Sequence, residues 1–422
     1  MLINEATHDY ISRHADDNPR QLALKGTKNP EVDLAFALDQ IAGRQTARQK
    51  LPTWAATDGI VYPPHLAMEQ CSSEQTARYK ASLITHHTTL PLQSEGVGGR
   101  LSYLDLTGGL GVDFSFMARH FSQSTYVERQ PALCDIARHN FALLGLESAQ
   151  VVCGDGVDFL RHTDQHFDWV YIDPARRDSH GGRTYAISDC TPNVLDLLSL
   201  LREKADHVLL KLSPMLDWRK AVRDIGEPYV SEVHIVAVGN ECKELLINSR
   251  PTPDSPSPDS PTPAPSPTGE GRLVCVNDND IFETTLYPNT KSPLPFRGGV
   301  GGGGSFLYIP NPAIMKAGCF AELCERYGVQ QLSQNSHLFI FADFIEKFPG
   351  RKFRIDSVST LNKREIREKL QGLKQANITV RNFPLTAAEL RKRLKLSDGG
   401  DTYIFATTLA DDSHVLLLCH KV

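Results

Sequence analysis

The stretch Tyr103-Leu104-Asp105-Leu106-Thr107-Gly108-Gly109-Leu110-Gly111-Val112-Asp113 decides the fold of this chain. An apolar segment, Leu101–Leu106, runs into a glycine turn, and a helical pattern follows over Val112–His120. The three glycines permit positive φ angles and a close approach of the backbone to a ligand. The helix that follows offers free N–H groups at its start. The stretch therefore predicts a strand, a tight binding turn and a helix.

Strand and helix patterns alternate over residues 101–248. This alternation predicts a parallel sheet with helices on both faces. Near its end, Val233–Val238 and Lys243–Ile247 flank Gly239-Asn240, which predicts an antiparallel hairpin. The expected fold is α/β and Rossmann-like, with a parallel sheet that ends in this hairpin. Further predicted strands are Thr125–Glu128, Gln150–Cys153, Phe167–Ile172 and His207–Leu212.

Three acidic residues end successive predicted strands. A carboxylate at Asp105 suits an ammonium group and disfavours a phosphate, so the turn favours S-adenosylmethionine over NAD. Glu128, 23 positions later, suits ribose hydroxyls. Asp155, followed by Gly156, is placed to accept from an adenine amino group. Each acid alone could equally be a strand-end or helix-cap residue, but three at one sheet edge predict a binding site.

A fourth motif, Ile172-Asp173-Pro174-Ala175-Arg176-Arg177, ends the fourth predicted strand. Together with the glycine turn, Glu128 and Asp155-Gly156, it resembles the class I S-adenosylmethionine-dependent methyltransferases. The chain is most similar to a bacterial group with a THUMP-like C-terminal module and an unassigned substrate. The stretches 69–80, 377–384 and 399–405 also resemble that group.

The resemblance implies a role for each motif. The glycine turn would hold the methionine end of the cofactor, Glu128 the ribose and Asp155 the adenine, and the fourth motif would line the methyl-transfer pocket. The implied cofactor-binding residues are Asp105, Thr107, Gly108, Gly109, Gly111, Glu128, Asp155 and Gly156, and the implied catalytic residues are Asp173, Pro174 and Arg176.

The fourth motif departs from the pattern of amino-methylating relatives, which have a second proline and then an aromatic residue. Ala175 and Arg176 stand at these positions, so stacking on a flipped base is not supported. Arg176 and Arg177 could instead clamp a phosphate or carboxylate, or pair with a local acid such as Asp178. Lys211, at the end of the fifth strand, is a candidate substrate contact, with a solvated lysine as the alternative.

The cysteines argue for direct methyl transfer to nitrogen or oxygen. Carbon methylation of pyrimidines needs a cysteine nucleophile, and neither Cys190 nor Cys242 lies in a matching motif. The nine cysteines are scattered without a CxxC pair, which favours reduced thiols and predicts no metal site.

Composition sets the broad class of the protein. Of the 422 residues, 41% are apolar and 23% charged, a balance typical of globular domains. The sequence contains no spanning segment and no signal pattern, so we expect a cytoplasmic protein without membrane contact. The predicted domains are a helical region (1–68), the methyltransferase domain (69–248, with an insertion at 88–99), a Pro/Ser-rich linker (249–272), a ferredoxin-like α+β domain (273–350, with a Gly-rich insertion at 290–305) and a THUMP-like domain (351–422).

The net charge of −5 hides a basic region. Residues 351–400 contain 13 Lys plus Arg but only 5 Asp plus Glu. Such a surplus suits nucleic acid, although a solvated helical face explains it equally well. Three hypotheses remain: a methyltransferase for structured RNA such as tRNA or rRNA, a methyltransferase for a small molecule or protein, and a non-catalytic cofactor binder.

Overall fold

The computed structural model of the chain describes residues 4–87, 101–176, 187–250, 271–286 and 304–422. The chain divides into two compact units. Unit 1 comprises Met1–Ser231 and Glu244–Gly269, and unit 2 comprises Glu232–Lys243 and Glu270–Val422. The predicted insertions at 88–99 and 290–305 and the predicted linker at 249–272 lie wholly or mostly outside the described residues, as does Arg177.

Unit 1 begins with helices. Asn4, Asn18 and Asp33 cap the first three of them through side-chain oxygens that accept backbone N–H groups. The helices are α1 (Glu5–Arg13), α2 (Pro19–Lys25), α3 (Leu34–Lys50), α4 (Pro52–Ala56), α5 (His65–Gln70) and α6 (Glu74–His87).

The N-terminal helices share the core of unit 1. Trp54 is fully buried, and its indole N–H donates to Ser115 Oγ at 3.3 Å. The Asn140 amide accepts from the Val61 N–H at 2.9 Å and donates to the Val61 carbonyl at 2.8 Å. The helical region predicted for 1–68 is thus joined to the sheet-bearing part by buried apolar and polar contacts.

A parallel sheet forms the centre of unit 1. In this unit the strand order is β9-β7-β4-β1-β2-β3, with β9 antiparallel to β7 and the other pairs parallel. The strands are β1 (Ser102–Asp105), β2 (Gln123–Glu128), β3 (Gln150–Cys153), β4 (Phe167–Ile172), β5 (Ala175–Arg176), β6 (Cys190–Thr191), β7 (Ala205–Leu212) and β9 (Glu241–Ser249), and the helices α7 (Val112–Met117), α8 (Pro131–Leu143), α9 (Gly156–His162), α10 (Val194–Lys204) and α11 (Trp218–Ile225). Strand β8 (Val230–Val238) belongs largely to unit 2.

The predicted fold class is confirmed. The alternation of strands and helices gives the expected parallel order, and β9 runs antiparallel at one end of it. Gly239 and Asn240, with φ angles of 58° and 62°, join β8 to β9, as a two-residue turn with positive φ at both positions requires. Because parallel strands share a direction, the carboxyl ends of β1 to β4 lie along one edge, where ligands bind in such folds.

Unit 2 contains a seven-stranded sheet. Its order is β13-β14-β12-β15-β18-β17-β16, and β10 pairs with β11 and β8 outside it. The boundary predicted at 350 therefore falls inside one continuous sheet. The elements are β10 (Arg272–Asn277), β11 (Asp280–Thr285), β12 (Phe306–Pro310), α12 (Pro312–Ala317), α13 (Phe320–Tyr327), β13 (Gln330–Gln331), β14 (Phe339–Phe341), β15 (Gly350–Thr360), α14 (Lys363–Lys369), β16 (Asn377–Arg381), α15 (Ala387–Leu394), β17 (Thr402–Thr408) and β18 (His414–Lys421).

The seven-stranded sheet buries apolar residues on both faces. Along β17, Phe405 belongs to one core, whereas Ile404 belongs to the other. The second core also contains Leu370, just after α14, and Leu390 of α15. Helices α14 and α15 therefore pack against the same face of the sheet.

Among the described residues, no helix is long and apolar enough to span a membrane. The same residues contain no cluster of three or more His, Cys, Asp or Glu side chains suited to a metal ion.

Candidate active site

The glycine turn between β1 and α7 is shaped by two different requirements. Gly109 and Gly111 have φ angles of 56° and 80°, in the region that favours glycine. Gly108 does not have a positive φ, so the backbone angle is not what requires glycine there. A Cβ at Gly108 would instead lie 2.2 Å from the Tyr126 ring. The Tyr126 hydroxyl donates to the Gly109 carbonyl, which fixes the turn on β2.

Asp105 lies at the end of β1 and is 1% exposed. Its carboxylate accepts from the Thr107 N–H at 2.9 Å and makes no ion pair with any described residue. Burial raises the pKa of Asp105 well above its usual range, and the nearby acids Asp113, Asp173 and Glu128 raise it further. A buried carboxylate without a cation is a chemically suitable partner for an ammonium group.

Glu128 connects the end of β2 to the glycine turn. Its Oε2 accepts from the Gly109 N–H at 2.9 Å, and its Oε1 accepts from the Gln130 N–H at 2.8 Å. Each carboxylate oxygen can accept more than one hydrogen bond. Both oxygens therefore keep capacity for ribose hydroxyls while the backbone fixes their orientation.

Asp155 caps α9, as the helix-cap alternative proposes. Its Oδ1 accepts from the backbone N–H groups of Val157 at 2.9 Å and Asp158 at 3.1 Å. The side chain is exposed at the edge of the sheet, so contact with adenine stays a prediction. A Cβ at Gly156 would lie only 2.1 Å from the Leu106 carbonyl oxygen. Glycine at this position lets α9 start directly beside the glycine turn.

The fourth motif is attached to the same turn. The Asp173 N–H donates to Thr107 Oγ1 at 2.7 Å, so Thr107 bridges the ends of β1 and β4. Pro174 is buried beside it. Arg176 pairs with Cys190 in the β5–β6 ribbon, and its side chain lies outside the described residues. The predicted clamp by Arg176 and Arg177 therefore remains a prediction.

Lys211, at the end of β7, contacts Asp173 directly. Its Nζ lies 2.7 Å from Asp173 Oδ2, and the lysine side chain is only 13% exposed. Burial disfavours the charged lysine, but the carboxylates of Asp173 and Asp113 outweigh that effect and raise the pKa of Lys211. The solvated alternative for Lys211 is therefore wrong.

A buried charge network continues behind Lys211. Lys80 of α6 is fully buried, with its Nζ 2.5 Å from Glu244 Oε2 and 3.1 Å from Asp113 Oδ1. The Ser72 hydroxyl lies between the two lysines, 3.0 Å from Lys211 Nζ and 3.3 Å from Lys80 Nζ. Burial opposes ionisation of Asp113, but the two lysines hold the pKa of that carboxyl below its ordinary value.

Sequence reasoning missed these network residues. Lys80 lies in the stretch 69–80, for which the sequence indicates only a resemblance to relatives, and Glu244 lies in the predicted strand Lys243–Ile247. One usable signal was present, because Glu244 directly precedes the apolar run Leu245–Ile247 in that strand. A charged residue beside such a run is rarely buried without a partner.

Comparisons with known proteins bear on the domains and the family of the chain. A family described as a ferredoxin-like domain matches residues 306–349, and one described as THUMP domain-like matches residues 350–421. A solved structure of a candidate methyltransferase from Porphyromonas gingivalis W83 is 31% identical, with 100% of both chains covered and a TM-score of 0.79. An uncharacterized S-adenosylmethionine-dependent methyltransferase from Mycobacterium tuberculosis is 23% identical over 333 residues, which cover 78% of this chain and 80% of that protein.

Proposed function

Because the chain belongs to the class I S-adenosylmethionine-dependent methyltransferases that carry a THUMP-like C-terminal domain, we propose that it methylates RNA. The cofactor is S-adenosylmethionine. The proposed acceptor is a nitrogen or oxygen atom of a structured RNA such as tRNA or rRNA. One observation carries the assignment of the site: Glu128 and Asp173 are hydrogen-bonded to Gly109 and Thr107 of the glycine turn, and Gly156, which follows Asp155, lies against the Leu106 carbonyl.

The residues at the turn fit this cofactor. Asp105 is a buried carboxylate that lacks a cation among the described residues, and it would hold the α-ammonium group. Glycine at positions 108 and 111 lets the turn pack closely against the Tyr126 and Phe141 rings, with which a Cβ would clash, and so holds the turn in place. Glu128 would hold the ribose hydroxyls, and the exposed Asp155 would accept from the adenine amino group.

Methyl transfer needs little from the protein beyond orientation. When bound, S-adenosylmethionine supplies a methyl group already activated on a sulfonium. Asp173 would accept a hydrogen bond from the target N–H or O–H and so aim its lone pair, while Pro174 would shape the pocket wall. The acceptor loses its proton as the new bond forms, and Asp173 or solvent takes that proton.

The RNA part of the proposal depends on charge in unit 2. We define the basic helix pair as Lys363, Arg364 and Arg367 of α14 with Lys392 and Arg393 of α15. All five side chains are exposed, and none forms an ion pair with a described residue. Arg393 donates to the carbonyl of Leu361, just before α14, at 3.4 Å, and both helices pack against the same face of the sheet. Adjacent unpaired cations of this kind suit a phosphate backbone.

A methyltransferase for a small molecule or protein is the second candidate. It is favoured by Ala175 and Arg176, which replace the second proline and the aromatic residue of base-methylating relatives. The third candidate, a cofactor binder without activity, would leave the Asp173–Lys211 pair without a function.

Transfer of tritiated methyl groups tests the proposal. The purified protein and labelled S-adenosylmethionine are incubated in parallel with total RNA, total protein and a small-molecule extract from a strain that lacks the gene. Transferred label is counted in each fraction, and acid-insoluble label in the RNA fraction is counted before and after ribonuclease treatment. We expect ribonuclease-sensitive label that is lost with Asp173→Asn. Label in protein or small molecules alone would favour the second candidate, and no label in any fraction would favour the third.

A further inference from the structure

The two lysines of the buried network are surrounded by oxygen atoms of the protein. Lys211 Nζ faces Asp173 Oδ2 at 2.7 Å, Ser72 Oγ at 3.0 Å and Asp113 Oδ2 at 3.7 Å. Lys80 Nζ likewise faces one oxygen each from Glu244, Asp113 and Ser72, at 2.5, 3.1 and 3.3 Å. An ammonium group has three N–H donors. Each lysine makes two hydrogen bonds within the network, and a carboxylate oxygen of Asp113 is the third oxygen near its ammonium group.

Among the carboxylates of the network, that of Asp173 is the most exposed. Asp113 and Glu244 are 8% and 4% exposed, whereas the Asp173 side chain is 40% exposed. Lys211 engages Oδ2 of Asp173, and Oδ1 has no partner among the described residues. The Asp173 N–H is meanwhile fixed by Thr107. Asp173 is thus held at its backbone and at one oxygen, with the other oxygen available as an acceptor.

From this arrangement we infer that Lys211 is a positioning residue that keeps Asp173 ionised and oriented toward the methyl acceptor, and that Ser72, Lys80 and Glu244 hold Lys211 in place. This inference deepens the proposed function and rests on it for the role of the acceptor. It replaces our prediction that Lys211 contacts the substrate.

The charges around Asp173 support the direction of the effect. Burial raises the pKa of Asp173, and the Lys211 ammonium opposes that rise. Without the ammonium, burial and the neighbouring acids would act unopposed, so the pKa of Asp173 would rise further and the carboxylate would lose acceptor capacity over a wider pH range. The charged groups that face Asp173 are Lys211 from β7, Asp113 from α7, Lys80 from α6 and Asp105 from β1.

The test compares Lys211→Met with Lys211→Arg, which keeps the charge, and with Lys220→Met, the same change at an exposed lysine of α11. Protein labelled with ¹³C at aspartate Cγ is titrated by NMR, and the Asp173 resonance is assigned by its loss in Asp173→Asn. We expect Lys211→Met to raise the titration midpoint of Asp173 by about 1–3 pH units. Lys211→Arg and Lys220→Met should leave it near the parent value.

Methyl transfer to RNA is then measured against pH in the same variants. For Lys211→Met we expect low transfer at neutral pH that recovers at higher pH, a change in profile that a merely structural defect would not produce. An unchanged Asp173 midpoint in a folded Lys211→Met protein would overturn the inference. If Lys211→Met does not fold, the NMR titration of Asp173 in the parent protein decides. A titration midpoint above neutral pH would overturn the inference, and a midpoint below neutral pH would support it. A shifted midpoint in a protein that labels no RNA would instead refute the proposed RNA substrate and leave the inference standing.

Discussion

Replacing the fully buried Lys80 by methionine tests the network most severely, because the side chain keeps similar bulk and loses its charge. In the parent, Lys80 Nζ lies within 3.1 Å of carboxylates of Glu244 and Asp113, and neither acid is more than 8% exposed. Removal of one partner from a buried ion pair costs about 3–5 kcal/mol, since the remaining charge is left without compensation. We therefore expect Lys80→Met to lower the free energy of unfolding by that amount.

Intrinsic fluorescence in a urea titration provides the assay. The three tryptophans, Trp54, Trp169 and Trp218, all belong to unit 1, so their emission reports unfolding of the unit that contains the network. Lys220→Met is the control, because its ion pair with Asp224 is half exposed and should contribute less than about 1 kcal/mol.

The sign of the pH dependence adds a second check on Lys80→Met. The folded-state pKa of Asp113 lies below its ordinary value, so the stability that this acid contributes is present above its unfolded pKa and lost as pH falls. In the variant, Asp113 lacks Lys80 and takes up a proton more readily in the folded state. The difference in unfolding free energy between parent and variant should therefore narrow as pH falls. A loss below about 1 kcal/mol at neutral pH, or a difference that widens in acid, would refute the reasoning.

Three further predictions concern the cofactor and the basic helices. Gly156→Ala should weaken S-adenosylmethionine binding at least about tenfold, since its Cβ would lie 2.1 Å from a backbone oxygen of the turn, whereas Gly154→Ala, with open space, should bind normally in calorimetry. Cofactor affinity should fall as pH falls through the raised pKa of Asp105, because the bound ammonium favours the ionised carboxylate; a flat profile in the parent would contradict this. Arg367→Glu should reduce both RNA affinity and its salt dependence in filter binding, whereas Lys25→Glu, at an exposed lysine of unit 1, should change neither.

The sequence predicted the parts of the fold that depend on local pattern. Alternating apolar segments and helix starts give the sheet of unit 1, and Gly239-Asn240 gives its hairpin turn. The pairing of strands that lie far apart in the sequence could not be predicted from local pattern. Thus β10 pairs with β8 rather than with β12, and the ferredoxin-like and THUMP-like segments share one sheet.

The site shows the same division between local and distant information. The candidate residues at or just after the ends of β1 to β4 could be predicted, because the carboxyl ends of parallel strands meet at one edge of the sheet. The partner of Lys211 was not predicted, since Asp173 lies 38 positions away, and Lys80 and Glu244 are 164 positions apart. The packing that requires glycine at position 108 could not be read from spacing, because the nearness of the Tyr126 ring is a tertiary contact.

Whether S-adenosylmethionine binds at the glycine turn is tested by calorimetric titration, with NAD as the competing dinucleotide and Asp105→Ala as the variant. We expect micromolar binding of S-adenosylmethionine to the parent and no binding of NAD. The Asp105→Ala variant should lose cofactor binding while it keeps its fold by circular dichroism. Unchanged affinity in Asp105→Ala, or binding of NAD instead, would contradict the placement of the cofactor at the glycine turn.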